Sequence, residues 1–274
     1  MHSQSHAIAP IGWHPVFRSG HIGSLASRRA NLAATQAPLR VLAERCAQCP
    51  ARAISVCGAV RDEGLARLAE AAVSGLVEGG RCFIEEGDPA TDFFTITAGC
   101  ARLYKLLPDG RRQITGFATT GHFLGLAARG TFAFSAEPIE TVKFCRFSRE
   151  RMHHLVNSFP ALGRRLLELA ANELVAATEQ MLLLGRKSAR ERLASFLASR
   201  VPEIAEGSGK LARIHLPMSR GDIGDYLGLT LETVSRTFAR LKAERLIAVP
   251  TANEIVVLNG RALKALATGE SRDL

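Results

Sequence analysis

Ser219-Arg220-Gly221-Asp222-Ile223-Gly224-Asp225-Tyr226-Leu227-Gly228-Leu229-Thr230-Leu231-Glu232-Thr233-Val234-Ser235-Arg236 reads as a helix, a tight turn and a second helix. Ser219 and Asp222 stand at capping-box spacing, so the hydroxyl can accept a first-turn N–H while the carboxylate reaches back to the cap. Gly224 is small where two helices must approach, Gly228 can adopt the positive φ of the turn, and Thr230 offers a cap to the second helix. In that helix Leu231, Val234, Phe238 and Leu241 share one face, which is predicted to be core. The opposite side gathers Glu232, Ser235 and Arg236 near the helix N-terminus, from which a recognition helix reaches base edges. An exposed Glu–Arg pair is ordinarily a solvated ion pair. The helix-turn-helix frame is what makes this trio, with Thr230 and Thr233 beside it, a candidate for reading DNA. Beyond it, Ile247-Ala248-Val249 and Glu254-Ile255-Val256-Val257-Leu258, separated by Pro250 and Asn253, predict a winged hairpin.

The whole chain of 274 residues suits two domains, and 47% apolar content is ample for two cores. With 35 Lys+Arg against 26 Asp+Glu, a formal charge of +9 favours a polyanionic partner, nucleic acid before membrane. Lys187, Arg190, Arg240, Lys242 and Arg245 are candidates for phosphate contacts, which orient a protein on DNA without reading sequence. No apolar run is long enough to span a bilayer, and the N-terminus lacks the basic-then-apolar order of a signal peptide, so a cytoplasmic protein with no membrane association is expected. Residues 1–40 lack periodicity and read as a flexible extension; His2, His6, His14 and His21 within it fit no zinc spacing.

Upstream of the DNA-binding region, residues 161–184 form the most regular predicted helix. Leu167, Ala170, Leu174, Ala177, Met181 and Leu184 recur at alternating steps of three and four, a seam without charge that implies a partner helix. The flanking Leu166, Leu169, Leu182 and Leu183 are apolar too, so one side can cover the preceding domain while the other meets a second copy. Ser188, after the Gly185-Arg186-Lys187 break, is a plausible N-cap for the next helix.

Between Glu78 and Phe147, short apolar segments such as Phe93-Phe94-Thr95-Ile96 and Leu103-Tyr104-Lys105-Leu106 alternate with turn signals at Gly79-Gly80, Gly87-Asp88-Pro89, Ala98-Gly99, Pro108-Asp109-Gly110 and Thr120-Gly121. That spacing predicts an all-β roll or barrel. Before it, the helical period of Leu65, Leu68, Ala69, Ala72, Val73 and Leu76 predicts an amphipathic helix within Val60–Val77.

Cys46-Ala47-Gln48-Cys49 is followed by Cys57. Clustered thiols in a reducing compartment suggest metal thiolates, against the plainer reading as small buried side chains. Zinc would want a fourth ligand nearby and none follows. An iron–sulfur cluster tolerates a distant fourth cysteine, for which Cys82, Cys100 and Cys145 are available. No nucleophile–base constellation, H-E-x-x-H or phosphate loop argues for an enzyme.

Gly87-Asp88, the Ala98-Gly99 strand pair, the Asp109-Gly110 hairpin and Gly121-His122-Phe123-Leu124-Gly125 resemble the cyclic-nucleotide-binding β-roll of the Crp/Fnr superfamily of transcription regulators. Glu232-x-x-Ser235-Arg236 is similar to the recognition-helix signature of its Fnr-type, oxygen-responsive iron–sulfur subgroup. The resemblance covers about residues 41–265. It implies an α+β fold: a flexible extension at 1–40, a cluster-binding loop at 41–62, a β-roll sensor at 63–158, a dimerisation helix at 159–186 and a winged helix-turn-helix at 187–274. It also implies a 4Fe-4S cluster on Cys46, Cys49, Cys57 and Cys145, with Cys82 and Cys100 left as buried structural thiols. Homodimers, double-stranded DNA of the form TTGAT-N4-ATCAA and RNA polymerase are the implied partners. Glu232, Ser235 and Arg236 would contact base edges, Arg236 taking guanine O6 and N7. A cyclic nucleotide is not expected, because Gly125-Leu126 and Ala133-Phe134-Ser135 stand where nucleotide-binding members carry Glu and Arg, and a buried phosphodiester without a cation is costly. A thiol switch on the same cysteines, or haem on a roll histidine such as His122, is the alternative sensor.

Overall fold

Alternation along two neighbouring strands explains how the roll is layered. In β7 (Val142–Ser148), Val142 and Phe144 enter the roll's interior, while Cys145 and Phe147 face the opposite way into a second cluster of apolar side chains. In β2 (Asp92–Ala98), Phe94 and Ile96 point inward and Phe93 outward. A computed structural model describes residues 44–126, 130–201 and 211–270; the predicted extension at 1–40 and its histidines lie outside the described residues.

The roll consists of two antiparallel sheets. One has the order β1-β7-β2-β5, with β1 at Val73–Val77 and β5 at Phe123–Leu124. The other has the order β4-β3-β6, from Arg112–Ala118, Ala101–Leu106 and Ser135–Pro138. Phe134, half-buried, packs against the roll core.

The helix predicted within Val60–Val77 is shorter than its periodicity suggested. Helix α1 covers Asp62–Ala71, and Val73–Val77 instead pairs with β7, Ser74 opposite Cys145. Gly75 weakens a helix, the β-branched Val73 and Val77 favour a strand, and an available sheet edge settles the competition.

Helix α2 (Arg149–Ser158) leaves β7 through a Ser148 cap and was not anticipated from the sequence. The long helix α3 follows over Pro160–Arg186, opening on a proline that needs no N–H partner. Ser188 then caps α4 (Ala189–Ala198) in a full capping box with Glu191.

In the C-terminal body, α5 (Arg220–Leu227) carries the predicted Ser219–Asp222 capping box. Gly228 ends α5 at φ 62°, ψ 42°, and Thr230 caps α6 (Leu231–Ala243) through the Thr233 N–H. A Cβ on Gly224 would lie 2.7 Å from the Leu229 carbonyl oxygen, so only glycine allows this turn to close. The wing has three strands rather than two: β8 (Ala212–His215) joins β10 (Glu254–Val257), which pairs with β9 (Ile247–Thr251). Helix α7 (Gly260–Thr268) closes the body.

Candidate metal centre and nucleic-acid interface

Cys46, Cys49, Cys57 and Cys145 line one small cavity, together with Ala51, Leu68, Ala72, Thr95, Thr97 and Phe147. Its floor is the outward face of β7 and β2; its roof is the N-terminal segment and α1. The segment is folded tightly enough to present its sulfurs. Ser55 caps a single 3-10 turn at Val56–Ala59 by accepting the Cys57 N–H, and a Cβ on Gly58 would lie 2.9 Å from the Ala53 carbonyl oxygen. Arg52 fastens the turn from beneath, donating to the carbonyls of Cys57 at 3.2 Å and Val60 at 3.1 Å.

Burial raises the Cys46 thiol and pushes Cys57 up to about 11 and Cys145 up to about 12. The neighbouring cysteines add to the effect at Cys145, and a hydrogen bond with Ser74 opposes it. Among the described residues, no group of three or more His, Cys, Asp or Glu side chains is close enough together to hold a single metal ion. The four cysteines share the lining of one cavity.

Cys82 and Cys100 stand apart from this cavity. Cys100 is buried, whereas Cys82 is exposed, contrary to the sequence expectation, because it lies in the connection between β1 and β2 outside any strand, its thiol donating to the carbonyl of Ile84 at 2.9 Å.

Two side chains that sequence reasoning missed connect this cavity to its surroundings. Arg165, on the first turns of α3, donates to the carbonyls of Ile54 at 2.9 Å and Ser55 at 3.3 Å, tying the long helix to the segment between Cys49 and Cys57. Thr95 lies opposite Cys145 in the sheet register, 1% exposed, and its hydroxyl has no hydrogen-bond partner. Neither position has a signal in a single sequence, since each depends on a contact across the chain.

Along α3 the seam residues divide. Leu167, Leu174 and Met181 are 72%, 69% and 65% exposed, and Ala177 is exposed beside them. Ala170 is half-buried. Leu184 packs against the C-terminal core, its Cδ2 3.3 Å from where a Cβ on Gly228 would stand. On the covering side, Leu166 and Leu169 lie against the outward sheet face and Leu183 is buried at the C-terminal end, whereas Leu182 is exposed.

On α6, Glu232, Ser235 and Arg236 are exposed on one side, continued by Arg240 and Lys242, with Thr230 exposed at the cap and Thr233 half-buried. The Glu232 carboxyl is held below its usual range by the free N–H at the helix start, by Thr230 and by Arg236. Val234, Phe238 and Leu241 are buried, but Leu231 is exposed, correcting its assignment to the core. It is the first residue of the helix, and Thr237 fills the core face further on. Ser188, Arg190, Thr233, Arg236, Thr237 and Arg240 line a shallow groove beside the trio. Of the phosphate-contact candidates, Arg240 pairs with Glu244 at 3.0 Å, Arg190 pairs with the same carboxylate, and Lys187 donates to Ser195 at 2.8 Å; Lys242 and Arg245 are exposed.

The DNA-binding body is fixed to the roll through α5. Asp222 accepts from Arg102 and Arg112, both at 2.9 Å, while Arg112 also reaches Asp225 and Gln113 reaches the Asp225 carbonyl. Burial opposes ionisation of Asp222, but the Ser219 hydroxyl and N–H and the two arginines outweigh it and hold the carboxyl below its usual range. Stability from this group is therefore present above the unfolded carboxylate pKa of about 3.9 and is lost as pH falls through its lower folded value. Asp222→Asn is expected to cost roughly 1–3 kcal/mol at neutral pH, the range for stranding a charged partner. Urea unfolding across pH checks this: the difference from the parent should shrink below about pH 4, and a constant difference would contradict it.

A β-roll joined by a long helix to a winged helix-turn-helix defines a DNA-binding regulator. Residues 76–159 match the cyclic nucleotide-binding domain family and residues 191–266 the Crp-like helix-turn-helix domain. The transcriptional activatory protein AadR of Rhodopseudomonas palustris is 41% identical over 222 residues, 80% of this chain and 91% of that protein. The transcriptional activator protein FnrL of Cereibacter sphaeroides is 36% identical over 218 residues, covering 78% and 88%. The structure of FixK2 from Bradyrhizobium japonicum superposes with a TM-score of 0.66 at 36% identity, over 71% of this chain and 96% of that one. The chain belongs to the Crp/Fnr family of transcription regulators. Its relatives are regulators, not enzymes, and no described helix is long and apolar enough to cross a membrane.

Proposed function

We propose that this protein is an oxygen-responsive transcription activator in which Cys46, Cys49, Cys57 and Cys145 hold a 4Fe-4S cluster that favours a homodimer on TTGAT-N4-ATCAA-type palindromes. Genes for life with little or no oxygen would be its targets, and RNA polymerase its partner on DNA. The observation that carries this reading is the convergence of four thiols, from two segments far apart in the chain, on one small cavity.

The donor set fits such a group. Four sulfurs around a largely apolar space match the soft, all-thiolate ligation of iron–sulfur clusters, and the unpartnered Thr95 hydroxyl in the same wall is a polar group for which the protein itself provides nothing. Bound there, a 4Fe-4S cluster would supply an oxygen-labile tie between the N-terminal segment and β7. The chain's own part is to position that tie: Arg165 connects the cysteine segment to α3, whose exposed Leu167, Leu174 and Met181 are suited to a second copy.

A thiol switch on the same cysteines is the second reading, in which the cavity holds no iron. Haem on His122 is the third reading; its Nδ1 lies 3.1 Å from both the N–H and the carbonyl of Thr119, which leaves Nε2 as the atom that would ligate iron. Anaerobically purified protein tests all three readings. About four irons per chain with acid-labile sulfide supports the cluster; a Soret band, or neither signal, overturns it.

Readout of DNA is expected to depend on Arg236. Arg236→Ala should cost about 1–3 kcal/mol per half-site, selectively at the guanine, whereas Lys242→Ala should weaken all sequences alike and flatten the salt dependence. Titrations of TTGAT and TTAAT dyads at one fixed salt measure this, and unchanged discrimination by Arg236→Ala would remove the arginine from base contact.

A further inference from the structure

Thr95 occupies an unusual position: a hydroxyl 1% exposed, in the middle of a central strand, with no acceptor or donor within reach. A buried hydroxyl left in this state costs roughly 1–3 kcal/mol relative to a satisfied one, and isosteric valine would avoid that cost on a strand that favours β-branched residues. Nothing in the packing of the roll demands threonine here. The interior face of β2 is supplied by Phe94 and Ile96, and Thr95 faces outward from it.

What Thr95 does face is the cysteine cavity, whose walls are otherwise mostly carbon from Ala51, Leu68, Ala72 and Phe147. The strand register places it directly across from Cys145, while Ser74 lies opposite the same cysteine on the other side. Ser74 lowers the Cys145 thiol against the larger effect of burial. Cys145 thus stands in a cross-strand row between two hydroxyl residues, of which Thr95 has no hydrogen-bond partner.

We infer that Thr95 is a positioning residue for the bound cluster, its Oγ1 donating a hydrogen bond to a sulfur on the Cys145 side. This rests on the cluster reading above. None of the four cysteine sulfurs in the wall is a hydrogen-bond partner of the hydroxyl, so a cluster sulfur carrying partial negative charge is the acceptor that the protein alone does not supply, and a donor in low dielectric acts strongly because no water competes. Hydrogen bonds to cluster sulfurs, with solvent exposure and charge, set how readily the cluster gains or gives up an electron. Thr95 therefore biases the cluster's resistance to oxidation from within the sheet, without being a ligand.

The experiment compares the parent with Thr95→Val and Thr95→Ser, each reconstituted anaerobically. Resonance Raman spectra in H2O and D2O report hydrogen bonding to sulfur, and a titration gives the reduction potential. The parent and Thr95→Ser should show a deuterium shift in the iron–sulfur stretching region. Thr95→Val should lose part of it, with its potential moved negative by about tenfold in the reduction equilibrium, about 59 mV for one electron. The apo form of Thr95→Val should melt no lower than the parent, because the hydroxyl it removes is unpartnered there. A purely structural threonine would show the reverse, with a lower apo melting temperature and unchanged spectra. Normal loading of Thr95→Val with unaltered deuterium shift and potential overturns the inference and leaves the cluster reading intact. A parent that binds no iron overturns both.

Discussion

Cys145→Ser, reconstituted without air, is expected to take up no 4Fe-4S cluster and to bind the palindrome no better than air-exposed parent protein, a loss of tenfold or more in specific affinity. The expectation is strong because Cys145 alone among the candidate ligands belongs to the sheet. It sits on β7, paired on both sides by β1 and β2, so the backbone cannot bring another donor into its place. Serine keeps the volume but replaces a soft thiolate with a hard, weakly acidic hydroxyl that suits iron–sulfur chemistry poorly. The variant should fold, since serine keeps the backbone pairing of β7 with β1 and β2. Cys82→Ser and Cys100→Ser are the controls. Neither residue lines the cavity, and both should load fully. Full cluster absorbance in Cys145→Ser would displace it as the fourth ligand, and failure of Cys82→Ser to load would point to a different ligand set.

How much of this could be read from the chain alone depends on the range of the interaction that fixes each part. The helix-turn-helix was legible nearly residue by residue, because its determinants are local: a capping box across three positions, a close helix approach at Gly224 and a left-handed residue at Gly228. The roll was legible as a class from its turn residues. Its layering was not, because whether Thr95 or Phe94 faces the interior depends on which strands become neighbours. The same limit explains the overextended helix before β1, where sheet pairing won over a helical period, and the missed α2 and β8. Leu231 failed differently: its position on the apolar face was right, but at the first turn of α6 there is nothing yet to pack against. For the candidate centre, Cys46, Cys49 and Cys57 advertise themselves by spacing, whereas Cys145 came from resemblance and Arg165 and Thr95 from contacts that no spacing encodes.

Leu174→Glu is expected to convert the cluster-loaded protein from a dimer to a monomer at micromolar concentration, and with it to abolish binding to the full palindrome. Leu167, Leu174 and Met181 from each of two copies could together contribute on the order of 10 kcal/mol if buried in a shared seam, using about 1.5–3 kcal/mol per fully buried side chain. Association itself costs an estimated 4–15 kcal/mol in lost freedom. The two terms nearly balance, so the seam by itself supports only a weak dimer, and a glutamate near its centre, brought close to its mate by symmetry, removes apolar area and adds like-charge repulsion in one step. That near balance is also why a modest constraint elsewhere can decide the association state. Arg165 is where such a constraint can enter, since its two hydrogen bonds to the Ile54 and Ser55 carbonyls join the cysteine segment to α3 only one residue before Leu166 and two before Leu167. Each bond contributes about 0.5–1.5 kcal/mol, or 1.5–3 kcal/mol where the charged guanidinium counts fully, enough to shift a dimer constant tenfold or more. Arg165→Ala should therefore still load a cluster, yet show nearly the same association in anaerobic and air-oxidised samples, where the parent is expected to shift from dimer toward monomer. Sedimentation at matched concentrations reads both variants. If Leu174→Glu remained dimeric, α3 would not be the seam. If Arg165→Ala kept the parent's full difference between loaded and oxidised protein, the coupling would run through the sheet and α2 instead, because those are the remaining covalent route from Cys145 to the helix.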